Sequence, residues 1–185
     1  LEQCMDGMLK FPGAGIGMHW AESKGEAFIF SKDEAIKRHF FTKPFLVIGP
    51  GGTVLKKSFF DSIKGYPEKY GPANDMYFNL KAACYSDVVL FPFQFFFYRA
   101  HDDRESTNWY NYLYNNYLFL KDALVELPFP LSQKEKKWVG DKNKRRFFIT
   151  LIRYLFITRN VKQVREAIKK TSFSFRDVIN AVFHL

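Results

Sequence analysis

The chain has 185 residues, 47% hydrophobic and 19% aromatic, which is enough for a sizeable core and excludes a disordered tail. A formal charge of +9 points to an anionic partner (nucleic acid, a membrane surface or a phosphorylated ligand) without choosing among them. The two cysteines, Cys4 and Cys84, have no partners at metal-ligand spacing; they suit a reducing compartment and leave room for one disulfide at most.

No stretch reads as a signal peptide, and no apolar run is long enough to span a bilayer. The expected location is cytoplasmic, or peripheral at a membrane. LEQCMDGMLKF reads as an amphipathic helix with Leu1, Cys4, Met5, Met8 and Leu9 on one side. It has no capping residue before it, so the chain is expected to be a piece of a longer protein. Phe11-Pro12-Gly13 ends this helix, and AGIGMHWAES reads as a short strand followed by a second extended piece, EAFIF. Ser31 caps a helix expected from Asp33 to Phe41. PFLVIGP, an apolar run bounded by prolines, reads as a buried strand. Gly51-Gly52 breaks it, and VLKKSFFDSIKG reads as a helix closed by Gly65.

After the loop YPEKYGPA, a helix is expected from about Asp75 to Tyr85. DVVLFPF and QFFFYRAH follow as strands, with Pro92 marking a break or an edge. Beyond Ser106 the pattern becomes helical throughout: NWYNYLYNNYLFLKDALVEL, DKNKRRFFITLIRYLFITR, NVKQVREAIKK and SFRDVINAVFHL. The expected organisation is an α/β part over residues 1–106 and an all-helical part over 107–185.

Several residues carry chemistry beside a structural alternative. Asn74-Asp75 stand where a helix begins, and Asx side chains there accept the free backbone N–H groups while the dipole favours an anion. Such a carboxylate is also rigidly held and ionised, as a general base requires. Gly51 and Gly52 read either as a plain turn or as a place where backbone approaches a ligand closely. Trp20 reads as core or as a pocket wall. Arg99 and Arg104 suit a phosphate or a solvated charged loop, and His101 a strand end or a metal.

The order of these features resembles the second half of the family 2 glycosyltransferases of GT-A fold. The pieces are Gly51-Gly52-Thr53, the helix with Lys56, Lys57 and Phe59, and the Gly65-Tyr66 turn with Glu68 and Tyr70. Asn74-Asp75 follows at the next helix start, and then Tyr98, Arg99 and His101, with Ser106 downstream. The resemblance spans about Leu1 to Ser106, and the later helices are not diagnostic. It implies an α/β fold: the C-terminal portion of a GT-A-type mixed sheet with helices, followed by an all-helical region. It implies inverting sugar transfer from a nucleotide-sugar donor to a glycan or lipid-linked acceptor, in polysaccharide or glycan synthesis. The catalytic base then maps onto Asp75, and Asn74 stands where the family carries an acid. Asn74, Gly51, Gly52, Trp20, Arg99 and Arg104 become substrate-binding candidates, and His101 comes near the diphosphate or its divalent metal, Mn or Mg.

No Asp-x-Asp occurs in this sequence, and no nucleotide-binding βαβ unit precedes the resembling part. The donor-binding half of the family is thus missing, and the chain alone is expected to bind no metal tightly and to transfer no sugar. The rival reading is a non-enzymatic basic module for an anionic membrane surface or for single-stranded nucleic acid. Basic grooves with stacking aromatics suit single strands, but no nucleic-acid motif is present. KEKKWVGDKNKRRFFITLIRYLFITR combines a basic cluster, Trp138 and an apolar stretch, and reads as an interfacial helix or as one buried on the core.

Overall fold

A computed structural model describes residues 1–21, 25–97 and 109–183. Among these residues the chain is α/β, with eight α-helices and one four-stranded mixed sheet. The helices are α1 (Glu2–Lys10), α2 (Lys32–Phe41), α3 (Lys57–Ser62), α4 (Asn74–Tyr85), α5 (Trp109–Glu126), α6 (Gln133–Thr158), α7 (Val161–Thr171) and α8 (Phe175–Phe183). The strands are β1 (Ile16–His19), β2 (Phe28–Phe30), β3 (Thr53–Leu55) and β4 (Val88–Phe91). The chain divides into two compact units. Among the described residues, the first holds Leu1–Glu68, 74–97 and Leu127–Pro130, and the second holds Lys69–Ala73, 109–126 and 131–183.

In the first unit the sheet order is β2-β4-β1-β3. β1 and β4 run parallel at its centre, with Ile16 opposite Val88 and His19 opposite Phe91. The two edge strands are antiparallel to them, Met18 facing Thr53 on one side and Phe30 facing Val88 on the other. All four β4 residues are buried, as a central parallel strand covered on both faces requires. β1 holds its place partly by lacking a side chain. A Cβ on Gly17 would lie 2.5 Å from the Phe91 ring and 2.9 Å from Met8 Sδ, so the glycine lets ring and strand meet. Cys4 and Met8 of α1 complete that cluster with Ala14, Val89 and Phe91.

Four expectations change. PFLVIGP is an irregular segment rather than a strand. Its backbone bonds go to side chains: His39 Nδ1 accepts the N–H groups of Phe45 and Leu46, and Asn79 Nδ2 donates to the carbonyls of Leu46 and Ile48. Apolarity reported the burial of Phe45 and Leu46, while Val47 is 44% exposed and the pairing is decided by two buried polar groups. VLKKSFFDSIKG divides into edge strand β3 and the short α3, because Val54 pairs with Gly17 of β1. Gly65 does close this region, with φ +54° and its N–H on the Phe60 carbonyl. β4 ends at Phe91, ahead of Pro92, and residues 93–97 form no strand. Lastly, α6 begins at Gln133, eight residues before the expected Asp141, because Ser132 and Glu135 cap it reciprocally.

The second unit is helical. Leu113 and Tyr117 of α5, Phe147, Leu151 and Tyr154 of α6, Ala167 of α7 and Phe173 form its core. Tyr117 stacks on Phe147 with centroids 4.5 Å apart, and Asn143 donates to the Tyr117 carbonyl at 3.1 Å. No helix among the described residues is long and apolar enough to cross a membrane. Cys4 and Cys84 are both buried, and they form no disulfide.

Candidate functional site at the start of α4

The carboxyl ends of β1 and β4 and the amino end of β3 meet at one edge of the sheet. In open α/β sheets ligands bind outside the carboxyl ends of the strands, in the crevice that opens where the strand order reverses. His19 closes β1 at this edge, and its ring meets Phe96 edge-on at 5.3 Å. Phe96 in turn lies over the Pro50–Gly52 turn: a Cβ would sit 3.8 Å from its ring at Gly51 and 3.2 Å at Gly52. Thr53 follows the turn, donates its hydroxyl to the Pro50 carbonyl at 3.0 Å, and is hydrogen-bonded with Tyr66.

Asp75 reaches the same place from the first turn of α4. A Cβ on Gly49 would lie 3.6 Å from Asp75 Oδ2, so one carboxylate oxygen stands against the loop backbone. The other, Oδ1, accepts the Met76 N–H at 2.7 Å. Burial raises the Asp75 pKa from its ordinary value, while the backbone N–H groups of Met76 and Asp75 itself hold the rise back. The negative charge of Asp75 is felt at Tyr66, whose hydroxyl is pushed up chiefly by burial; Thr53 pulls it down, and Asp75 adds to the rise. The result is a half-buried, helix-held carboxylate of increased basicity beside a phenol and a glycine turn, which suits proton abstraction from a hydroxyl.

Two buried polar residues, absent from the expected site, set this geometry. Asn79 lies one turn below Asp75 on α4 and is 1% exposed. By grasping the Leu46 and Ile48 carbonyls at 3.2 and 2.8 Å, it ties the loop before Gly49 to the helix that carries Asp75. His39 holds the same loop from α2. Their only sequence signal is a polar residue on an otherwise apolar helical face.

The expected residues are thus partly brought together. Asp75, Gly51 and Gly52 share the edge, and Asn74 opens the helix beside Asp75. Gly52 has a packing reason of its own, since a Cβ there would come within 2.3 Å of Ile48. Trp20 is 9% exposed and packs edge-on against Phe28, Phe30 and Phe45, as a core residue does. Arg99, His101 and Arg104 lie outside the described residues, as do Tyr98 and Ser106. Among the described residues no three His, Cys, Asp or Glu side chains converge to hold a metal ion. The chain matches no protein-family model, no curated protein and no solved structure.

Proposed function

We propose that this chain is the acceptor-side half of an inverting glycosyltransferase, with Asp75 as the base. The observation that carries the reading is Asp75 itself: a half-buried carboxylate with raised basicity, fixed in the first turn of α4 against the Gly49 backbone. In such a reaction the acceptor hydroxyl gives its proton to the carboxylate as its oxygen bonds to the anomeric carbon. The bond from that carbon to the nucleoside diphosphate breaks, and the diphosphate leaves with the electron pair. The acceptor would lie along the carboxyl edge of the sheet, where Tyr66 and Thr53 offer hydroxyls and Phe96 an apolar face to a sugar ring. A divalent metal would neutralise the departing diphosphate, and no described residues gather to hold one.

The test is Asp75→Asn in the full-length protein, assayed for sugar transfer from a panel of nucleotide sugars. The expected loss is about 10³-fold in kcat with KM little changed. Wild-type turnover in the variant would reject Asp75 as the base. Tight, metal-dependent binding of a nucleotide sugar to the present chain would reject its reading as a half without a donor site.

A second reading, docking on an anionic membrane, is favoured by where the charge lies. Residues 142–177 carry eleven Lys or Arg and two carboxylates, so the entire net charge of +9 resides there. On α6, Arg145, Ile149, Ile152 and Phe156 fall on one stripe at helical spacing, opposite the buried Phe147, Leu151 and Tyr154, and Arg159 caps the helix just beyond. Ile149 is 52% and Phe156 79% exposed. Basic residues bordering apolar ones fit an interface of head groups and acyl chains. Arg145→Glu with Arg159→Glu should abolish co-sedimentation with anionic vesicles, and unchanged binding would reject the reading.

A further inference from the structure

We infer that the second unit contains a binding pocket for a phosphate ester, built between α5 and α6. The cavity, about 330 Å³, is lined by Trp109, Tyr112 and Asn116 of α5 and by Arg146, Thr150 and Arg153 of α6. Each trio follows the spacing of one helical face, so the two helices present matched rows across the opening. Tyr117 and Phe147, stacked together, form its floor with Leu113.

Three observations point to a ligand. The first is charge: two arginines line a space of small-molecule size, and no described carboxylate pairs with either. Nearby acids are engaged: Asp141 of α6 holds Lys137, and Asp177 of α8 holds Lys144. Two arginines two turns apart on α6 stand about 10 Å apart along the axis and can close on one phosphate from both sides. The second is an orphan acceptor. The side-chain oxygen of Asn116 is fully buried and has no hydrogen-bond partner among the described residues. A buried unsatisfied carbonyl costs stability, and a turn of the Asn116 side chain toward the cavity would bring that oxygen to a ligand's donor. The third is the wall: Trp109 and Tyr112 give the pocket an aromatic side beside its polar one.

Together these define the ligand's chemistry. It carries a phosphate for Arg146 and Arg153, a hydroxyl that donates to Asn116, and a compact body, as in a sugar phosphate or a polyol phosphate headgroup. The phosphate is shared by two sources, a soluble ester and an anionic lipid, and the site stands independently of the role given to Asp75. It also uses other residues than the exposed α6 stripe.

The test titrates the chain with inorganic phosphate, with a hexose 1-phosphate, and with phosphatidylcholine vesicles with or without phosphatidylglycerol. If the ligand is soluble, the hexose phosphate binds more tightly than phosphate alone. Arg146→Gln with Arg153→Gln then weakens it by about tenfold or more, and Asn116→Leu removes its advantage over phosphate. If the source is lipid, only phosphatidylglycerol vesicles bind, and the double arginine variant again loses that binding while keeping wild-type circular dichroism. Equal affinity of wild type and the double arginine variant for every probe overturns the proposal, as does the absence of binding to all of them. Vesicle binding that is abolished by Arg145→Glu with Arg159→Glu and untouched by the double arginine variant belongs to the α6 stripe, and overturns the pocket.

Discussion

Two ionisable side chains in the first unit are buried for opposite ends. His39 is 7% exposed and serves as an acceptor: its Nδ1 takes two backbone N–H groups, so the ring is neutral with its proton on Nε2. Burial lowers its pKa from 6.5 to about 4. The folded state therefore excludes a proton that the unfolded chain accepts. This contribution is complete above pH 6.5 and is lost as pH falls toward 4, amounting to about 3 kcal/mol. Urea unfolding at stepped pH should show this loss in the wild type. His39→Ala should flatten that window, and costs about 2–4 kcal/mol at neutral pH because two buried N–H groups lose their acceptor. For Asp75 the sign is reversed. Its folded pKa is raised, so ionisation opposes folding above that pKa, and the penalty vanishes below the unfolded value. Asp75→Asn should thus melt no lower than wild type at pH 8, with the two converging in acid. A catalytic group and a structural one part here: loss of turnover without loss of Tm marks the former.

At the scale of elements, the loop over residues 44–52 and the long α6 show how polar side chains decide what apolar pattern leaves open. Phe45 and Leu46 are buried without strand pairing because His39 and Asn79 take the place of a neighbouring strand. Asn79→Ala should cost about 2 kcal/mol, since two carbonyls lose a buried donor. On the role proposed for Asp75 it should also lower sugar transfer, because Gly49 and Asp75 lose the brace between them; unfolding and turnover measured together check both. α6 runs through the highly charged KEKKWVGDKNKRR, whose apolar signal is sparse, and its start is fixed by Ser132 and Glu135. Ser132 Oγ accepts the Glu135 N–H at 3.3 Å, and Glu135 accepts the Ser132 N–H at 2.7 Å. Ser132→Ala should destabilise the second unit by about 1 kcal/mol, read by chemical denaturation.

Over the whole molecule, charge is divided unequally. Outside residues 142–177 the chain holds 17 basic and 17 acidic residues and is formally neutral, so its attraction for anions belongs to α6, α7 and the start of α8. Anionic vesicle binding should fall steeply as salt rises from about 50 to 500 mM, since the Debye length shrinks from above 10 Å to a few ångströms. Phe156→Ser should leave that salt dependence in place and weaken binding at every salt concentration, because the apolar contact is not screened. A protein whose binding is insensitive to both salt and Phe156 does not use this face.

The α/β beginning, the helical second half, the glycine turn at Gly51-Gly52 and the carboxylate at the start of α4 were all legible from residue types and their spacing, because apolar periodicity and capping chemistry are local. The irregular course of PFLVIGP, the pairing of β3 and the early start of α6 were less so. The first two depend on a partner distant in sequence: Asn79 for the loop, Gly17 for the strand. The Arg146–Arg153 pocket was equally invisible, since each arginine alone is a solvated helix residue and only packing against α5 brings them over one cavity. The sequence by itself determined which segments are helical and where the charge resides. Tertiary structure alone decided which backbone groups pair, that Asp75 stands against the Gly49 loop, and that Asn116 is left with an unanswered carbonyl. Hydrogen-bond partners are chosen in space, and a one-dimensional pattern carries no record of that choice.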